Sequence, residues 1–281
     1  SPLMYSIGVG LADSYSTITK FDNPEGALNN YYEGKRIGEI WGYVTDGFIQ
    51  DEAEAQRMAT IQGDISKTWK VGDIRYKDLD GVEGITSAKT IYNTGDQKVI
   101  GNTTPRYSFN INASASWKGF DVRVFFEGIA KRDLWIDSPV FWGFPSNSNV
   151  WQSAVNDYHV DNSWSENNTN AYYPLPSYSG RSKQTQTKYL QNGAYIRLKD
   201  LTISYTIPKA WISTVGIEQL KVFASGQNLW VGTKLFKYLD PDIVSTRQSN
   251  SKDNKLVGNL TSDGKAYPFS RTFSFGINLT F

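Results

Sequence analysis

Three carboxylates and one histidine are the residues whose types could break bonds. Glu166, in Trp164-Ser165-Glu166, and the two acids of Leu239-Asp240-Pro241-Asp242 offer the acid and base that a glycosidase requires. His159 is the only histidine, set in Asn156-Asp157-Tyr158-His159-Val160-Asp161, and reads as a solvated loop residue. A usual zinc site draws on several His or Cys ligands, and this chain has no cysteine. The same absence excludes disulfides and thiol nucleophiles. No nucleophile-elbow pattern accompanies the histidine, so a Ser-His-Asp centre has no support. Surface loops commonly carry carboxylates, so the residues point away from catalysis and imply no cofactor.

A second group could bind rather than react. Trp135, Trp142, Trp151, Trp164, Tyr172 and Tyr173 cluster in one polar stretch. Aromatic faces stack on sugar rings or give rigid contact area against a peptide or partner protein. A long ordered loop also needs aromatics for a small core of its own. Packing or partner contact is the favoured reading for each of them.

The elements that must carry these residues are strands. The last stretch, Thr272-Phe273-Ser274-Phe275-Gly276-Ile277-Asn278-Leu279-Thr280-Phe281, alternates large apolar with small or polar side chains. Successive side chains on a strand point to opposite faces, so one face is apolar and the other wet. The first stretch repeats the pattern with Leu3, Tyr5, Ile7, Val9 and Leu11, and is expected to continue to Lys20. A second strand is expected over residues 36–44, and a helix over 51–59, where acids sit in the first turn. Tyr107 to Trp117 and Phe120 to Phe126 form a hairpin around Lys118-Gly119. Residues 194–207 form a strand with Leu201, Ile203, Tyr205 and Ile207 on the apolar face. Ile196 and Leu198 are out of phase with these, which predicts a β-bulge near Lys199-Asp200. A helical turn at 210–212 and a strand over 220–230 precede the last strand.

About seven strands result, joined alternately by short connections (21–34, 118–119, 208–219) and long ones (45–103, 131–191, 232–269). Alternation of this kind places all long loops at one end. Outer-membrane barrels are built that way, with lipid on one face of each strand and a polar lumen on the other. The chain is therefore expected to be all-β, a segment of a transmembrane antiparallel β-barrel with long extracellular loops. Trp117, Tyr205 and Phe281 would belong to its interfacial aromatic girdle. A mean hydropathy of -0.46 does not exclude a membrane, because only alternate residues need be apolar. A formal net charge of +1 argues against nucleic acid, whose binders are distinctly basic. Open strand edges would be poorly tolerated in water or lipid, so the 281 residues are expected to be one part of a larger domain. The competing reading is a secreted all-β carbohydrate-binding protein, with apolar faces meeting in a sandwich core.

Several phrases add a resemblance. Gly72-Asp73-Ile74-Arg75-Tyr76-Lys77-Asp78-Leu79-Asp80-Gly81 followed by Val99-Ile100-Gly101-Asn102-Thr103-Thr104-Pro105-Arg106-Tyr107 resembles a signature of SusC/RagA-like TonB-dependent transporters. So do Trp117-Lys118-Gly119-Phe120-Asp121, Tyr189 through Lys199, Ser225-Gly226-Gln227-Asn228-Leu229 and the last strand. The matches run in the family's order over nearly the whole chain. The resemblance implies about the last seven strands of an outer-membrane barrel of about 22, with residues 1–281 as its C-terminal portion and the plug and N-terminal strands outside. It implies import of an oligosaccharide or peptide, a SusD-like surface lipoprotein partner, and energy from TonB contacted by the missing N-terminal part. The family's acidic stretch resembles a calcium loop. Here Asp78, Asp80 and Glu83 are the weak metal candidates, and Val82 replaces the middle acid. Calcium loops need oxygen ligands at alternate positions, so an Asp-Gly turn is the better reading.

Overall fold

A computed structural model describes residues 2–145, 151, 153–212, 216–243 and 267–281. Parts of the expected long loops 131–191 and 232–269 and of the 208–219 connection lie outside the described residues. Six strands pair in chain order into one antiparallel sheet: β1 (Met4–Ala12), β6 (Arg106–Trp117), β7 (Phe120–Lys131), β10 (Tyr195–Thr206), β11 (Gln219–Thr233) and β12 (Thr272–Thr280). The hairpin between β6 and β7 turns on Lys118 and Gly119, both at positive φ, as a two-residue turn requires. The β6–β7 and β10–β11 turns lie at one end of the sheet. The three long connections all leave from the other end.

Register keeps the two faces separate. Tyr5, Ala115, Val122, Ile203, Ala224 and Phe275 lie side by side across all six strands. The adjacent row reads Ser6, Ser114, Arg123, Thr202, Ser225 and Ser274. The expected bulge is present, and it is doubled. Between Leu198 and Asp200, β10 carries one residue more than β7, and β11 in turn carries one more than β10. Asn228, at positive φ, sits at that step. The two insertions bring Ile111, Phe126, Leu198 and Trp230 back into one row, so the apolar face survives the phase slip.

Two expectations are corrected. The first strand stops at Ala12 rather than reaching Lys20. Arg106 grips Asp13 there, and residues beyond it fold into a separate turn in which Ile18 N–H donates to Lys35 O (2.9 Å) and Ile37 N–H to Ser16 O (2.9 Å). The strand expected over 36–44 forms as β2 (Glu39–Tyr43), but it leaves the wall, which therefore holds six strands and not seven among the described residues. It pairs with β5 (Gln97–Asn102) in a small sheet of its own. Ile40 and Tyr43 are buried there, and Gly42 is pressed so close to Ile100 and the Thr185 backbone that no side chain would fit. Neither face of β2 is left to meet a lipid.

The only dry core among the described residues lies in the long loops. It gathers β3 (Thr45–Phe48), α1 (Glu52–Ile61), β4 (Ile74–Tyr76), β8 (Asp133–Leu134), α2 (Pro139–Trp142), α3 (Asp157–Asn162) and β9 (Gln191–Asn192). Its buried members include Ile49, Ile74, Phe141, Tyr173, Tyr189 and Phe236, drawn from all three long connections, and no wall strand contributes to it. The helix α1 begins one residue after Asp51, whose carboxylate accepts the Glu54 N–H (2.7 Å). At the turn end of the wall, α4 (Lys209–Ile212) is the expected helical turn.

Candidate functional site

The wall's polar face is the first candidate surface. Near the turns, Asp121 accepts from Ser116 Oγ (2.5 Å) and pairs with Lys221 (2.8 Å). Arg123, Thr202, Ser204 and Asn278 join them around a shallow concavity of about 310 Å³. At the loop end, Lys199 pairs with Glu127 (2.8 Å) and Asp242 (2.9 Å), Tyr195 OH donates to Asp242 (2.8 Å), and Arg197 pairs with Asp240. Asp240 and Asp242 are thus held by cations on the wall. A glycosidase instead needs one protonated and one ionised carboxyl facing a glycosidic bond. Glu166 lies exposed in the second loop.

Among the described residues nothing packs over the opposite face. Ile7 is 68% exposed and Phe275 82%, within unbroken apolar rows. Among the described residues no helix is long and apolar enough to cross a membrane, which says nothing of strands. Trp117, Tyr205 and Phe281 stand at the turn end, where Tyr205 packs on Phe120 at 4.5 Å between ring centroids.

His159 is not a solvated loop residue. It is the third residue of α3 and almost wholly buried. Its Nε2 donates to Phe141 O (3.1 Å), and Nδ1 accepts from the Asn156 N–H (3.3 Å), which closes a reciprocal cap with the Asn156 side chain. Burial lowers its pKa below the ordinary 6.5, so the ring is held neutral. The polar sequence around it gave no sign of this, because the rings that cover it come from elsewhere: Tyr173 at 5.6 Å and Phe236 at 6.3 Å.

The six aromatic candidates separate by burial. Trp142 and Tyr173 are in the loop core, Trp142 donating to Ile136 O (3.0 Å) and Tyr173 stacking on Tyr189 at 6.1 Å. Trp164 is buried against Gly72, at φ 85°, where an added Cβ would lie 2.3 Å from the indole. Trp135 and Tyr172 pack half-buried at the edge of the core, and Tyr172 OH accepts from Gln191 (3.1 Å). Trp151 stands 93% exposed.

The acidic stretch folds as a turn. Asp78 accepts the Gly81 N–H (2.7 Å) and Asp80 the Val82 N–H (2.8 Å), with Gly81 at φ 73°. Asp96, rather than Glu83, completes the cluster: Asp78, Asp80 and Asp96 each bring a carboxylate oxygen within 4.8 Å of the others. Both Asp96 oxygens already accept backbone N–H groups, from Leu79 (2.6 Å) and Thr86 (2.8 Å).

Sequence reasoning missed the polar ties that join the loops. Asp73, fully buried, pairs with Arg181 at 2.6 Å and accepts from Ser182 Oγ at 3.0 Å. Lys183 Nζ donates to three carbonyls, of Phe144, Pro145 and Ser177, at 2.6 to 3.0 Å. Burial pushes Lys183 down to about 8, while three acceptors around one nitrogen use all three ammonium protons. Lys188 lies 3.8 Å over the Phe48 ring, and burial brings it also to about 8.

No family model matches the sequence. Two curated proteins of Formosa agariphila are similar to it. TonB-dependent receptor P3 is 30% identical over 249 residues, which cover 89% of this chain and 22% of that protein. TonB-dependent receptor P26 is 26% identical over 222 residues, 75% of this chain and 20% of that protein. The chain thus spans about a fifth of the length of the curated relatives it matches. In fold it is similar to the RagAB peptide importer in its open-open state, with a TM-score of 0.60 at 18% identity, and in its closed-closed state, with 0.61 at 19%. Each superposition covers 99% of this chain and 27% of the solved one.

Proposed function

We propose that this chain, which is SusC/RagA-like in sequence and fold, is the C-terminal wall segment of a TonB-dependent outer-membrane importer. The apolar face meets lipid and the polar face lines a wet lumen. The free edges of β1 and β12 pair with further strands of a barrel of about 22. The whole protein carries an oligosaccharide or peptide inward on energy delivered through TonB, and makes or breaks no bond of its own. A peptide is favoured by the likeness in fold to the RagAB peptide importer. A SusD-like lipoprotein docks over the long loops, where exposed Trp151 is the aromatic candidate free to touch partner or solute. Bacterial outer membrane is the location this reading requires.

One observation carries the proposal. A six-stranded wall keeps an uninterrupted apolar face outside any core, through two compensating bulges, while all its long connections gather at one end. A sandwich protein would bury that face against a second sheet. The test is the intact mass of the native polypeptide, denatured after detergent extraction from membranes. The proposal expects about four times 31.6 kDa, the mass of this chain, because the chain spans only 22 to 27% of the similar proteins. A polypeptide of 31.6 kDa in a detergent-free soluble fraction would overturn it and favour the secreted carbohydrate-binding reading.

A further inference from the structure

The loop-end charges on β10 form a built site. The bulge places Lys199 and Asp200 consecutively on the polar side, so Tyr195, Arg197 and Lys199 present a hydroxyl and two cations within one short run. Arg197 is only 3% exposed. Opposite stands Asp240-Pro241-Asp242, drawn into a compact turn in which Asp242 N–H donates to Asp240 Oδ1 (3.0 Å). Phe269, from the far leg of the same loop, covers the cations with its ring at 5.2 Å from Arg197 Cζ and 4.6 Å from Lys199 Nζ. The fit is incomplete. Arg197 spends Nη2 on Asp240, and its buried Nε has no hydrogen-bond partner, the nearest Asp242 oxygen lying at 3.5 Å. A guanidinium is best satisfied by one carboxylate lying in its plane and taking two parallel N–H groups. The chain's own acids supply one oxygen each from two different residues.

We infer that Tyr195, Arg197 and Lys199 form a carboxylate-binding subsite on the lumen wall. At rest Asp240 and Asp242 fill it, and a carboxylate-bearing solute displaces them during passage. The inference rests on the reading of the polar face as a solute path. Once the Asp-Pro-Asp turn moves off, Lys199 keeps its pair with Glu127 while Arg197 loses both of its carboxylate partners and is left for an incoming anion. An acidic peptide and a uronic-acid glycan share this chemistry.

The test uses the full-length protein and three probes: Ac-Asp-Pro-Asp-NH2, Ac-Asn-Pro-Asn-NH2 and digalacturonate. In the D240N/D242N variant the tethered competitor loses its charge, so an acidic probe is expected to bind about tenfold tighter or more, with the Asn peptide unchanged. A gain for the Asp peptide alone assigns a peptide acid, and a gain for digalacturonate alone assigns a glycan acid. A gain for neither, or an equal gain for the Asn peptide, overturns the inference. Arg197→Gln and Lys199→Gln, each made in the D240N/D242N background, provide an independent arm. Either change should abolish the gain in acidic-probe binding, and a gain that survives both overturns the inference. A membrane-extracted protein that imports solute but fails these arms leaves the transporter reading intact, whereas a soluble protein of 31.6 kDa removes that reading itself.

Discussion

Phe141 and Phe275 have the same side chain and opposite surroundings. Phe141 is fully buried in the loop core, edge-on to Trp142, Tyr173, Tyr189 and Phe236. Phe275 stands 82% exposed on the wall, beside Phe273 at 65% and Ile277 at 64% on the same face of its strand. The loops bury their aromatics in a core of their own, and they bind their segments together with buried pairs such as Asp73–Arg181. The wall has no core of its own, and its stability in isolation comes from the strand ladder. A face of this size left bare in water would be an aggregation surface. In the proposed reading lipid covers that face from outside, and the two halves of the molecule are fitted to two different solvents.

The comparison can be broken by substitution. Phe141→Ala should cost the loop core about 3–5 kcal/mol, the usual penalty for emptying a large buried aromatic site. Hydrogen exchange should report lost protection across all three long loops with the wall amides unchanged; uniform loss through the wall would mean that the two regions are one cooperative unit. Next in size, Phe275→Asp should reduce membrane assembly, because a carboxylate on a lipid-facing position costs on the order of 1–3 kcal/mol. Ser274→Asp, one residue away on the polar face, should assemble nearly as wild type. Equal assembly of the two variants would contradict the assignment of faces.

A smaller effect sharpens the loop side. His159 is neutral in the fold, with its pKa below 6.5, and Lys237 nearby opposes its charging. An unfolded histidine titrates near 6.5, so between that value and the lower folded one the unfolded state holds more protons. The contribution of His159 is therefore complete above about pH 6.5 and lost as pH falls through the folded value. Exchange protection around α3 should drop by about 1 kcal/mol per unit of pH in that window, and the wall should show no such slope. A pH-independent loop core would show that the ring keeps its environment when charged.

How much of this was legible depended on how local the signal was. The bulge was readable because Leu198 and Leu201 break a period of two within one strand. The hairpin at Lys118-Gly119 was readable because the turn needs positive φ at both residues. The strand at β2 was found but misplaced: its alternation is the same as that of a wall strand, and only distant neighbours, Ile100 and Thr185, decide that both its faces are covered. Burial of His159 and the capture of Asp240 and Asp242 were illegible for the same reason. Their partners Phe141, Tyr173, Arg197 and Lys199 lie in other segments, and no spacing rule links them. Of the acidic stretch, the turn was read correctly, while Asp96 was missed because the fold returns it from beyond the next loop.

The most direct measurement is a cysteine scan of β12 in the full-length protein. Single cysteines at 273 through 279 would be reacted in native membranes with a charged, water-soluble thiol reagent and with an apolar, lipid-partitioning one. Wall and lumen predict strict alternation: positions 274, 276 and 278 modified by the charged reagent, and 273, 275, 277 and 279 by the apolar reagent alone. Charged-reagent access at every position, without alternation, would contradict the claim that this strand divides lipid from water.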